Sequence, residues 1–89
     1  MTLEFPNESR IFEDAKRRIR FWGYDQAIEI TFFVGIDALL KLKPEITDTS
    51  AGYLDVFDEF REQIRCVAEQ CYSRGKQKAY AYTLLAQEF

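Results

Sequence analysis

Between Arg18 and Val34 the chain alternates between apolar and polar positions. Ile19 and Phe21 fall between Arg18, Arg20 and Trp22; Ile28, Ile30, Phe32 and Val34 fall between Glu29, Thr31 and Phe33. A period of two is that of half-buried strands, so the two runs predict a hairpin. A turn through Gly23-Tyr24-Asp25-Gln26 would set Phe21 opposite Ile28, Ile19 opposite Ile30 and Arg20 opposite Glu29. That register matches apolar with apolar and cation with anion.

Downstream the period becomes helical. "IDALLKLK", residues 36–43, predicts a short helix with Asp37 as its N-cap. Pro44 ends it, because the residue before a proline avoids helical backbone. After the connector "PEITDTSAG", Tyr53, Phe57, Phe60, Ile64, Val67 and Cys71 recur at spacings of four and three. They form the apolar stripe of one long helix, capped by Asp48, Thr49 or Ser50 and closed at a left-handed Gly75. Asp55, Asp58, Glu59, Glu62 and Glu69 fall on the other side, with Cys66 among them. Tyr80, Tyr82 and Leu84 then alternate with Ala79, Ala81, Thr83 and Leu85, predicting a last strand that completes an antiparallel sheet. The alternation leaves open which of its faces is buried. In residues 1–16, "TLEF" has the make-up of a short strand stopped at Pro6-Asn7. "ESRIFEDAK" lacks a clean period and reads as a loop or irregular edge.

These elements predict a single α+β domain over residues 1–89. It is a two-layer sandwich, with an antiparallel sheet of N-terminal hairpin plus C-terminal strand packed on one long and one short helix. One sheet face must cover the helices. The other, carrying Arg18, Arg20, Trp22, Thr31 and Phe33, is left for solvent or a partner. There is no internal repeat.

Composition narrows the function. The 89 residues are 47% hydrophobic and 16% aromatic, enough for a folded core. A net charge of −3 disfavours general affinity for polyanions. The first ten residues lack a basic region followed by an apolar run, and "ITFFVGIDALL" is too short to span a bilayer. The expected setting is therefore cytoplasmic, with no membrane partner. Cys66 and Cys71, five apart on a helix, point about 140° away from each other, which fits free thiols.

Several stretches resemble one family when taken in order: "FPNESR", "RFWGYD", "FF" and "DAL", "FDEFR", "YSRG" and "YTLLAQEF". The chain resembles the bacterial domain-of-unknown-function family numbered 1488 over nearly its whole length. The resemblance implies a small bacterial α+β domain, with no activity and no functional residue to carry over.

The chemistry-bearing residues exclude more than they include. Without histidine there is no Ser–His or Cys–His nucleophile and no common zinc set. Cys71 sits on the apolar stripe and Cys66 among acids, and both settings oppose a thiolate. The helix acids read as a solvated face, within which Asp58 can meet Arg61 and Glu62 can meet Arg65. No ordered calcium ligands appear. "SRGK" has one glycine and follows a helix, so it reads as a helix end rather than a phosphate loop. No catalytic residue, metal or cofactor is expected. The remaining signal is basic and aromatic: Lys16, Arg17, Arg18 and Arg20 with Trp22, and a weaker patch of Arg74, Lys76 and Lys78. Arginine and aromatics suit a protein interface. The expected function is a non-enzymatic interaction or regulatory module that docks a protein partner or a second copy. The alternative is binding of single-stranded nucleic acid through the basic and aromatic sheet face.

Overall fold

In the computed structural model, which describes residues 3–75 and 79–89, the chain begins with strands β1 (Leu3–Glu4), β2 (Arg10–Glu13), β3 (Arg18–Asp25) and β4 (Ile28–Gly35). Helices α1 (Ile36–Leu42), α2 (Ser50–Glu59) and α3 (Arg61–Arg74) follow, then β5 (Ala81–Leu84). The five strands form one sheet in the order β1-β3-β4-β5, with β2 also pairing β3. The architecture is α+β, with the helices layered on one sheet face.

The hairpin forms, but in a different register. Phe21 pairs with Phe32 and Ile19 with Val34, four residues further along β4 than expected. The chain reverses at Gln26-Ala27, where Gln26 takes φ 58°, and "GYD" remains strand. Two contacts keep it there. Gly23 lies beneath the N-terminal segment, where a Cβ would come within 2.8 Å of the Glu4 carbonyl oxygen and of the Phe5 ring. This glycine therefore serves close approach rather than a turn. Asp25 accepts a 2.6 Å hydrogen bond from the Tyr72 hydroxyl of α3. That bond, with burial, pushes the Tyr72 phenol up to about 12. A shift of four is even, so every side chain keeps its predicted face. Ile28, expected in the core, lies at the hairpin tip and is 50% exposed.

The predicted long helix is two. Thr49 caps α2, its Oγ1 accepting from the Gly52 N–H at 3.0 Å. At Phe60 the backbone leaves helical geometry (φ −105°, ψ 21°), with no proline or glycine to announce it. The stripe stays in phase across the break: Tyr53 and Phe57 of α2 and Ile64, Val67 and Cys71 of α3 are buried, and Phe60 is half-buried. Gly75 closes α3 at φ −76°, not in the left-handed region, with its N–H on the Cys71 carbonyl at 3.0 Å. Helix α1 starts at Ile36 as expected, but its N-cap position is Gly35, two residues before Asp37; the Asp37 carboxylate accepts from the Ala38 N–H instead.

Strand β5 corrects the sheet. It runs parallel to β4, with Thr31 opposite Ala81 and Val34 opposite Leu84. The three helices between β4 and β5 return the chain to the starting end of β4, the crossover that parallel pairing needs. Tyr82 and Leu84 face the helices. Leu84 is buried, and the Tyr82 ring packs 5.8 Å from both Phe32 and Tyr72. Phe21, Phe32 and Phe57 form the aromatic centre, at 5.4 and 5.1 Å from ring to ring. Each such pair adds about 0.5–1.5 kcal/mol beyond the area it buries.

Candidate interaction face

Alternation along β3 and β4 puts Ile19, Phe21, Ile30, Phe32 and Val34 on the helices and brings Arg18, Arg20, Trp22, Thr31 and Phe33 together on the outer face. Each of these five is half-buried. Trp22 lies directly across from Thr31, and Arg20 from Phe33. The Arg18 guanidinium stacks 3.6 Å above the Phe33 ring, and that of Arg20 lies 5.2 Å from the Trp22 ring.

Glu13 organises these cations. It pairs with Arg18 across the β2–β3 ladder, and the Arg18 Nε donates to its Oε1 at 2.7 Å. Its Oε2 lies 3.4 Å from the Arg20 Nε. The hydrogen bond from Arg18 holds the Glu13 carboxyl below the usual glutamate range. The expected Arg20–Glu29 pair does not form, because the shifted register sets Glu29 across from Tyr24. Sequence reasoning missed Glu13 and Ile11, since β2 is four residues long and too short to display a period. With the strand formed, Ile11 and Glu13 share one side and Arg10 and Phe12 the other. Ile11 is 43% exposed beside Arg20, while Phe12 stacks on Tyr53 at 5.2 Å.

The other basic residues are not brought to this face. Arg17 points into the helical layer, 3.2 Å from both Asp48 and the Tyr53 hydroxyl. Arg74 ends α3 and pairs with Glu88. Lys76 and Lys78 lie outside the described residues. Cys66 is exposed and Cys71 buried. The Cys71 Sγ donates to Glu88 Oε2 at 2.9 Å; burial, with that carboxylate, pushes the thiol up to about 11, so it stays protonated at neutral pH.

A polar cleft opens where β2 meets the α2–α3 junction, lined by Glu8, Arg10, Asp58, Glu59, Arg61 and Glu62. At its centre Arg10 grips Asp58 with two 2.8 Å hydrogen bonds, and Arg61 adds one of 2.6 Å. The Arg10 hydrogen bond is the main reason the Asp58 carboxyl sits below the ordinary aspartate range. An unfolded aspartate titrates near about 3.9. With the folded value lower, the stabilisation is full above about pH 5 and fades as pH falls through 4 toward the folded value. The pair is partly exposed, so its worth is about 0.5–1.5 kcal/mol. Asp58→Asn should remove that much stability at pH 7. Urea midpoints should show the difference between variant and native chains shrinking as pH falls below 4. A difference that stays constant through the acid range down to acid unfolding would mean that Asp58 acts through packing.

Among the described residues, no group of three or more His, Cys, Asp or Glu is placed to hold a metal ion, and no helix is long and apolar enough to cross a membrane.

No curated protein is significantly similar to the chain. A crystal structure of a protein of unknown function of the DUF1488 family, from Shewanella loihica PV-4, superposes with a TM-score of 0.78. It covers 92% of this chain and 90% of its own, at 21% identity, and so shares the fold. The model of the family described as "protein of unknown function (DUF1488)" matches residues 3–84. With this order of strands and helices, and a match over nearly its whole length, the chain belongs to the DUF1488 family.

Proposed function

We propose that this protein is a non-enzymatic interaction or regulatory module, and that the outer sheet face around Trp22 docks a protein partner whose contacting surface is apolar and close to neutral. One observation carries the reading: Glu13 engages both arginines of the face, and their guanidinium groups lie over the Phe33 and Trp22 rings. The pairing offsets one of their two charges within the face and holds both guanidinium groups over the rings, so little side-chain freedom is left to lose on docking. Aromatic and arginine side chains in this setting are what interface centres are rich in. Glu4, Glu13 and Glu29 alternate onto the same side as Arg18 and Arg20. The face therefore offers no surplus of cations to phosphates, which weighs against the nucleic-acid alternative. The lack of histidine and the protonated Cys71 support a role without catalysis.

Trp22→Ala tests the reading. Native and variant chains are used as bait in nuclease-treated extract, and the captured protein is then purified and titrated against each by calorimetry. A partner retained by the native chain and bound at least ~10-fold more weakly by the variant, with unchanged far-UV circular dichroism, is the expected result for an anchoring tryptophan. Equal binding, no partner at all, or capture that disappears with nuclease overturns the proposal; the last outcome favours nucleic acid.

A further inference from the structure

The two edges of the sheet are built differently. On one side β3 is flanked by β1 and β2. That edge is interrupted at Pro6 and carries Glu4, Arg10 and Glu13, the charge and proline by which edge strands are kept from pairing. The opposite edge is β5, with β4 as its hydrogen-bonded neighbour. From Ala79 to Leu85 it reads "AYAYTLL", without charge, proline or glycine. Tyr80 and Leu85 at its ends are 65% and 50% exposed.

The parallel register determines which amide groups of β5 are left over. The Tyr80 carbonyl accepts from the Thr31 N–H at 2.8 Å, with Ala81 opposite Thr31 and Thr83 opposite Phe33. In a parallel ladder this turns the amide groups of Tyr82 toward β4, and those of Ala81 and Thr83 toward the open edge. The flanking N–H groups are already engaged: Ala79 donates to the Tyr82 hydroxyl at 3.2 Å, and Leu85 to Glu88 Oε1 at 2.9 Å. Among the described residues, two donors and two acceptors are thus left, placed symmetrically about Tyr82.

We infer that β5 pairs antiparallel with β5 of a second copy of this chain, about a two-fold axis at Tyr82. The Ala81 N–H donates to the carbonyl of Thr83 of the partner subunit, and the Thr83 N–H of the partner subunit donates back to the Ala81 carbonyl. The axis repeats the exchange, giving four main-chain hydrogen bonds. A two-fold contact brings each residue against itself or a near neighbour, so a charged strand would meet its own charge; this one carries none. The two sheets join into ten strands, with both Trp22 faces on the same side. The contact is small, and the dimer is accordingly weak.

Thr83→Pro removes the outward N–H and no bond to β4, a place where an edge strand tolerates proline. Ala81→Lys leaves the backbone intact and sets lysines close together across the axis. Sedimentation equilibrium of the native chain should show mass rising reversibly from 10.5 kDa toward twice that value with concentration. Both variants should remain monomeric, and Trp22→Ala should dimerise like the native chain. A native chain that stays monomeric to about 1 mM, or a dimer that survives Ala81→Lys, overturns the inference. Dimerisation lost in Trp22→Ala but kept in the edge variants overturns it too and moves self-association to the outer face.

Discussion

Phe32→Ala should cost about 3–5 kcal/mol, the range for deleting a fully buried phenylalanine. Phe32 is wholly buried in a central strand, and its ring lies 5.4 Å from Phe21, 5.8 Å from Tyr82 and 6.2 Å from Phe5. It thus joins β3, β5 and the N-terminal segment. Strand β4 is hydrogen-bonded on both sides, so the backbone cannot collapse into the space left behind. A domain of this length has about 4–13 kcal/mol in all, and the variant should keep only a thin margin at 25 °C. Urea unfolding measures the loss as a lower midpoint at unchanged slope. Ile28→Ala is the informative companion. The turn chemistry of "GYDQ" sets Ile28 against Phe21 in the core; the structure leaves it half exposed at the hairpin tip. Its loss should stay below about 1 kcal/mol. Equal losses at the two positions would restore the shorter register.

Gly52→Ala should destabilise by about 1–3 kcal/mol, although replacing a helical glycine by alanine ordinarily gains about 1 kcal/mol. A Cβ at Gly52 would lie 2.1 Å from the Thr47 carbonyl oxygen and 2.9 Å from the Thr47 Cβ. The obstacle is backbone, held from both sides. The Thr47 carbonyl accepts from the Thr49 N–H at 2.8 Å, and the Thr49 hydroxyl caps the Gly52 N–H. Making room means opening the turn that starts α2, and with it the N-cap. Thermal unfolding should show a fall of about 4–8 °C for each kcal/mol. A rise would mean that the Thr47 turn yields freely and that helix propensity governs the site.

The candidate face was legible in part. Arg18, Arg20, Trp22, Thr31 and Phe33 fall on one side of the hairpin by parity alone, and parity survives any even shift of register. Their chemistry was not legible. Arg20 was matched to Glu29, a neighbour in the assumed register, while its partner in the fold, Glu13, lies on a strand too short to show a period. That substitution changes the electrostatics of the face, because one carboxylate serves both arginines.

What the sequence determined by itself is what local geometry dictates. The period of two assigned the faces of β3 and β4, the spacing of four and three put Cys71 inside and Cys66 outside, and Pro44 limited α1. Each depends on residues within a few positions of one another. The tertiary structure alone decided the depth of the hairpin, the parallel course of β5 and the division of the long helix at Phe60. Close packing at Gly23 and the Tyr72–Asp25 hydrogen bond hold β3 straight where turn-forming residues would bend it. The crossover length, not the alternation in "AYAYTLL", sets the direction of β5. These outcomes rest on contacts between residues far apart in the chain, and hydrophobic period carries the face of a residue but not its partner.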